Sequence, residues 1–128
     1  MKRAGRDLTI IAYSRMVETA LAAAAELAKE GIEAEVVDPR TLLPLDIETI
    51  MASVGKTHRA IIVHEACKTM GVGAEIGMQI VENGFDCLDA PVVRVAGADV
   101  PMPKSHVLES LAVPSTARVV AAARELLG

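Results

Sequence analysis

The stretch Arg59-Ala60-Ile61-Ile62-Val63-His64-Glu65-Ala66 limits what this chain can fold into more than any other part of it. Four consecutive apolar residues, three of them β-branched, lack the polar alternation of a half-exposed strand. They read as a central strand covered on both faces. A polar His64-Glu65 pair follows, then Cys67-Lys68-Thr69-Met70, and the glycine-punctuated Gly71-Val72-Gly73 opens an apolar pattern at helical spacing through Val81. Strand, polar edge and helix are the parts of a parallel α/β unit. Because open sheets of this kind carry their sites in the loops at the carboxyl ends of the strands, His64 to Gly73 is where function is sought first.

The flanking segments extend the same pattern. Leu8 to Tyr13 is an apolar strand entered directly from a basic, patternless stretch, Met1 to Arg6. Ser14 is placed to cap a helix with Met16, Val17, Ala20, Leu21, Ala24 and Leu27 on its inner face and Gly31 as its stop, and Ala22 to Ala25 suit close packing on a sheet. Ala34 to Asp38 is a second strand, so a right-handed parallel crossover is expected. Pro39 and Pro44 fix the next loop, Asp38 and Arg40 suit a local ion pair, and Asp46 is placed to cap a short helix carrying Ile47, Ile50, Met51 and Val54. Gly84 closes the helix that begins near Val72; Phe85 to Pro91 is a loop, and Val92 to Ala96 a fourth strand. Asp99-Val100-Pro101-Met102-Pro103 crosses the edge, and His106 to Leu111 reads as an irregular turn. Pro114 and Ser115 start a last helix with Val119, Val120, Ala123 and Leu126 inward and Arg118, Arg124 and Glu125 outward. The expected fold is α/β: a three-layer α/β/α domain with a mostly parallel sheet in the order 2-1-3-4.

Composition narrows the function. At 128 residues the chain is one domain, 1–128, able to bury a core without disulfides or metal. A formal charge of -4, dispersed basic residues, one Tyr, one Phe and no Trp argue against a nucleic-acid surface. The two cysteines, Cys67 and Cys87, lack a Cys-x-x-Cys or metal-ligand spacing and read as free thiols. No stretch approaches the roughly 18 apolar residues of a membrane span, and no signal peptide is evident. The expected location is the cytoplasm, or an equivalent reducing lumen such as the mitochondrial matrix, with no membrane and no metal.

Several residues carry a chemical and a structural reading. His64 and Glu65 resemble a general acid and base, although a strand-end histidine is more often a structural hydrogen-bonding residue. Gly71 and Gly73 before a helix suit an anion on free backbone amides, while Ala74 and Gly77 suit close helix-to-sheet packing. Cys67 has no activating base nearby in the sequence. Met70, Met78 and Met102 fit either a buried interface or core filling.

Val37-Asp38-x-Arg40-Thr41-Leu42-x-Pro44-Leu45-Asp46-x-Glu48-Thr49-Ile50, then Ser53-Val54-x-Lys56-Thr57, resembles the carboxy-terminal domain of the beta subunits of thiamin-diphosphate-dependent 2-oxo acid dehydrogenases, the group that includes pyruvate, branched-chain 2-oxo acid and acetoin dehydrogenases. Further blocks keep the family's order and spacing: Ala12-Tyr13 with Met16-Val17, Val63-His64-Glu65-Ala66, Gly71-Val72-Gly73-Ala74-Glu75-Ile76, Leu88-Asp89-Ala90-Pro91-Val92-x-Arg94-Val95-x-Gly97-x-Asp99-Val100-Pro101-Met102-Pro103, and Leu108-Glu109. Ser14 stands where the family usually has Gly, and Pro39 where it usually has Leu.

The resemblance implies a domain of transketolase C-terminal type whose usual antiparallel edge strand, ahead of the first strand, is largely missing here. It implies that the parent enzyme decarboxylates a 2-oxo acid oxidatively and passes the acyl group to lipoyl. Thiamin diphosphate and Mg would be held by other domains, through a Gly-Asp-Gly motif and a Glu that do not occur in this chain. No cofactor is therefore expected on this chain, and no catalytic residue beyond the candidates His64 and Glu65. The implied partners are other beta subunits, the cofactor-binding domains or alpha subunit, and the subunit-binding domain of the dihydrolipoyl acyltransferase, which meets the positions matched here by Asp89, Ala90 and Pro91. The alternatives are the related domain of transketolase or deoxyxylulose phosphate synthase, and a free-standing small-ligand-binding or adaptor domain.

Overall fold

The apolar run lies in β3 (Ala60–Cys67), an interior strand of a four-stranded parallel sheet in the order β2-β1-β3-β4. The computed structural model describes residues 2–39, 45–67, 71–97 and 114–128. Its other strands are β1 (Leu8–Ala12), β2 (Ala34–Val37) and β4 (Val93–Gly97). The helices are α1 (Met16–Ala28), α2 (Ile47–Thr57), α3 (Val72–Gly84) and α4 (Thr116–Leu127). Ile10 pairs with Ile61 and Ile11 with Ile62, so the two most apolar strands lie side by side at the centre.

Strand alternation divides the core into two layers. Leu8, Ile10, Ala12, Ile61, Val63 and Val95 pack beneath α1 and α4, while Ile11, Val37, Ala60 and Ile62 pack beneath α2 and α3. The expected three-layer architecture and strand order are those observed. On α1 the helical period buries Ala20, Ala23, Ala24 and Leu27, whereas Ala22 and Ala25 face solvent, so only half of the alanine run lies on the sheet. Gly31 takes the left-handed conformation expected of a helix stop, with φ 79°. The Asp46 carboxylate accepts from Thr49 N–H at 3.2 Å and caps α2; Ser115 accepts from Arg118 N–H at 3.2 Å and caps α4.

Ahead of β1, Arg3 and Val36 form an antiparallel bridge, with Val36 N–H donating to Arg3 O at 2.9 Å. Gly5 lies so close to the β2 edge that a Cβ there would overlap the backbone of Ala34 and Glu35. Its amide donates to the fully buried Glu35 carboxylate at 3.0 Å, and the Lys56 ammonium donates to the same oxygen, Oε2. Burial acts most strongly on Glu35 and pushes its pKa up. Hydrogen bonds from Lys56, Gly5 and Ser53 outweigh it and hold the carboxyl below its ordinary value. Beside it, the Thr9 hydroxyl lies 2.7 Å from that of Ser53 and 2.6 Å from that of Thr57. The α2 face of the sheet thus carries a polar seam at the amino end of β1.

Candidate functional site

At the opposite, carboxyl edge the chain leaves β1 through Tyr13 and Ser14. Ser14 has φ 58°, in the left-handed region, and its side chain does not cap α1; the N-cap is Arg15, which makes no side-chain cap hydrogen bond. The expected serine cap is thus corrected. A positive φ is the conformation that favours Gly, the residue the resembling family usually carries at this position. Arg15 instead reaches across to Glu65, donating from Nε at 2.9 Å and from Nη2 at 2.7 Å in a two-point pair.

His64 and Glu65 occupy different settings, because adjacent strand residues point to opposite faces. Glu65 lies on the α1 side with Arg15. His64 is fully buried on the α3 side, its ring stacked on that of Tyr13 at 6.3 Å between centroids and 14° between planes. Pairing between β3 and β4 shifts register between Val63 and Cys67, the stretch that carries both residues. Burial, with a smaller contribution from Arg94, holds the His64 pKa below the ordinary histidine value of 6.5. Burial and then Glu65 push the Tyr13 phenol up.

The depressed His64 pKa has a stability consequence. The unfolded chain takes up a proton at this residue before the native one does, so stability is full above about pH 6.5 and falls as the pH is lowered through the native value. Urea unfolding between pH 8 and pH 5 is expected to show this loss, and His64→Leu to flatten it; an equal slope in the variant would refute the assignment.

Gly71 is the N-cap of α3 and Gly73 sits in its first turn. A Cβ on Gly73 would overlap His64 Nε2 and lie 2.6 Å from Cδ2, whereas one on Gly77 would make ordinary contacts with Ile62 and Val92 at 3.6 and 3.7 Å. The close helix-to-sheet approach expected at Gly77 therefore belongs to Gly73. Its sequence signal was present, but only the fold shows that His64 fills the space.

The Asp89 loop lies away from this edge, at the amino end of β4. A single 3₁₀ turn, Phe85–Cys87, leads into it. His58, left-handed at φ 64° after α2, fastens the loop twice: its Nδ1–H donates to Cys87 O at 2.8 Å, and its carbonyl accepts from Asp89 N–H at 2.9 Å. The Asp89 side chain is exposed and has no hydrogen-bond partner among the described residues, so it makes no turn with its own backbone there. Asp89, Ala90 and Pro91 border a groove of about 800 Å³ whose walls include Met78, Phe85 and Arg94. Met78 is 52% exposed and Phe85 70%, which leaves apolar surface beside an acidic point. Sequence reasoning found Asp89 but missed His58, whose role depends on a left-handed backbone.

Among the described residues, no group of three His, Cys, Asp or Glu could hold a metal ion, and no helix is long and apolar enough to cross a membrane. Arg40 to Pro44, Lys68 to Met70, Asp99 to Pro103, and His106 to Leu111 lie outside the described residues, as does the Cys67 side chain.

A parallel sheet in the order 2-1-3-4, flanked on both faces, with a polar carboxyl edge, defines an α/β domain of transketolase C-terminal type. The sequence matches the family "Transketolase, C-terminal domain" over residues 1–119, and the chain belongs to that family. It is 53% identical over 124 residues to pyruvate dehydrogenase E1 component subunit beta-2, mitochondrial, of Oryza sativa subsp. japonica, covering 97% of this chain and 33% of the relative. It is 44% identical over 128 residues to the acetoin:2,6-dichlorophenolindophenol oxidoreductase subunit beta of Bacillus subtilis (strain 168), covering 100% of this chain and 37% of the relative. The chain spans about a third of the length of these curated relatives. Among solved structures, "Split gene transketolase, inactive beta4 tetramer" superposes with a TM-score of 0.85 at 32% identity, covering 98% of this chain and 40% of that one.

Proposed function

We propose that this domain is the carboxy-terminal assembly and partner-docking part of a 2-oxo acid dehydrogenase beta subunit. The observation that carries the reading is identity of about half to a pyruvate dehydrogenase beta subunit over nearly the whole chain, against 32% to the split transketolase. In the parent enzyme, thiamin diphosphate and Mg serve oxidative decarboxylation of a pyruvate-like 2-oxo acid, with acyl transfer to lipoyl. The motifs for that chemistry lie in other domains, so residues 1–128 act as one domain that binds no cofactor and catalyses nothing alone. It pairs beta subunits, supports the cofactor domains or alpha subunit, and docks the acyltransferase. The proposed compartment is the cytoplasm, or the mitochondrial matrix as in the mitochondrial relatives.

Docking is proposed at Asp89, Ala90 and Pro91. A carboxylate free of side-chain partners among the described residues, on a loop fastened twice by His58, holds its position without internal neutralisation. It suits Arg or Lys on a small basic domain. Asp89→Asn is expected to weaken binding of the acyltransferase subunit-binding domain by about 1–3 kcal/mol, measured by calorimetry, with an unchanged melting temperature. Unchanged affinity with a lowered melting temperature would make the carboxylate structural and remove the docking residue.

Self-association is the second expectation. Met78 and Phe85 leave two large apolar side chains exposed on the wall of one groove, a surface suited to a second copy, so the chain is expected to sediment as at least a dimer. A monomer throughout the micromolar range would assign the beta-subunit interface to other domains.

A further inference from the structure

His64 is fully buried, and neither of its ring nitrogens has a hydrogen-bond partner among the described residues. Native folds seldom leave such a group unsatisfied, and the docking reading makes no use of it. The direction of the ring is given by Gly73: a Cβ on that residue would overlap Nε2, and it would lie 2.6 Å from Cδ2 and 3.1 Å from Cε1. Cα–Cβ bonds tilt toward the start of a helix, so Nε2 stands beside the first turn of α3 on its amino-terminal side. The helix is 13 residues long. In that turn the Ala74 amide donates to Gly71 O at 3.0 Å, while the Val72 and Gly73 amides have no acceptor among the described residues.

The surroundings favour negative charge. The amino end of α3 carries the positive end of the helix dipole, and Arg94 acts on His64 with the same sign. The nearby carboxylates are engaged elsewhere: Glu65 with Arg15, and Glu75, exposed on α3, with the Gln79 amide at 3.1 Å. Two amides without acceptors among the described residues and an imidazole nitrogen beside the same helix start make a donor set that suits an oxyanion.

We propose that His64 and the first turn of α3 form a binding site for a small oxyanion, a phosphate or carboxylate group, held by the Val72 and Gly73 amides and by His64 Nε2–H. Gly73 is the permissive residue, since any side chain there displaces the imidazole from the turn. The site is separate from the Asp89 loop, so failure of either assignment leaves the other standing.

The test is an NMR titration of the ¹⁵N-labelled chain with inorganic phosphate and, separately, with acetate, at constant ionic strength. Saturable shifts are expected at the Val72 and Gly73 amides and at the His64 ring nitrogens. A response to phosphate alone, acetate alone or both supports the site and identifies the anion class. Gly73→Ala is expected to weaken binding by about tenfold or more, while Gly77→Ala leaves it unchanged. If Gly73→Ala does not fold, the wild-type shifts decide, with His64→Leu as the second variant. No saturable shift at these groups up to about 50 mM of either anion, far above the millimolar range of weak specific binding, overturns the proposal. So does binding that persists at full strength in a folded Gly73→Ala or His64→Leu variant.

Discussion

Gly5→Ala is expected to strip the N-terminal segment from the sheet and to cost about 3 kcal/mol, the upper end of what overpacking a tight contact costs. The added methyl meets backbone, the carbonyl carbon of Ala34 and the amide of Glu35, and neither can rotate away as a side chain would. The retreat of Gly5 also removes its N–H from the Glu35 carboxylate and strains the bridge between Arg3 and Val36. Denaturant unfolding measures the loss, and hydrogen exchange at the Val36 amide locates it, because that amide donates to Arg3 O. Retained protection at Val36 with stability within about 0.5 kcal/mol of wild type would show that the close approach is not made.

Lys56→Met is expected to cost about 2 kcal/mol at neutral pH. Removing one partner of a fully buried pair is worth more, but the Lys56 side chain is 48% exposed and its charge is partly screened. The loss depends on pH in a fixed sense. Glu35 has a native pKa below its ordinary 4.5, so the unfolded chain binds a proton where the native chain does not. The stability contributed by Glu35 is therefore complete above about pH 4.5 and falls as the pH drops through the lower native value. Lys56→Met is expected to shrink that acid-dependent part, and adding Glu35→Gln to recover at least about 1 kcal/mol at neutral pH by removing the unpaired charge. No recovery in the double variant would mean that Lys56 acts through its alkyl stem.

The sequence carried the architecture because the elements have strong local signatures. Ala60 to Val63 has no polar alternation and three β-branched residues, the signature of an interior strand, and Asp46 and Ser115 cap the helices that their positions predicted. The features read incorrectly or missed depend on backbone geometry or on contacts distant in sequence. Ser14 has a capping side chain, but a φ of 58° turns it away from the α1 amides. Glu35 sits in a short strand whose pattern does not reveal that α2, 21 residues later, brings Lys56 over it. Gly77 and Gly73 look alike in sequence, and only the imidazole of His64 distinguishes them. His58 likewise gains its role from partners 29 and 31 residues further on, at Cys87 and Asp89.

Tyr13 gives the molecule an optical property. It is the one tyrosine in a chain without tryptophan, and its ring lies over that of His64. Ultraviolet emission and near-ultraviolet dichroism therefore arise almost wholly from the carboxyl edge of β1 and β3, with one phenylalanine as a weak second source. Far-ultraviolet dichroism reports the helices and the sheet as a whole. Following both signals through one denaturation distinguishes loosening of this edge from unfolding of the entire domain, with no label and no substitution, so the natural chain carries its own local reporter.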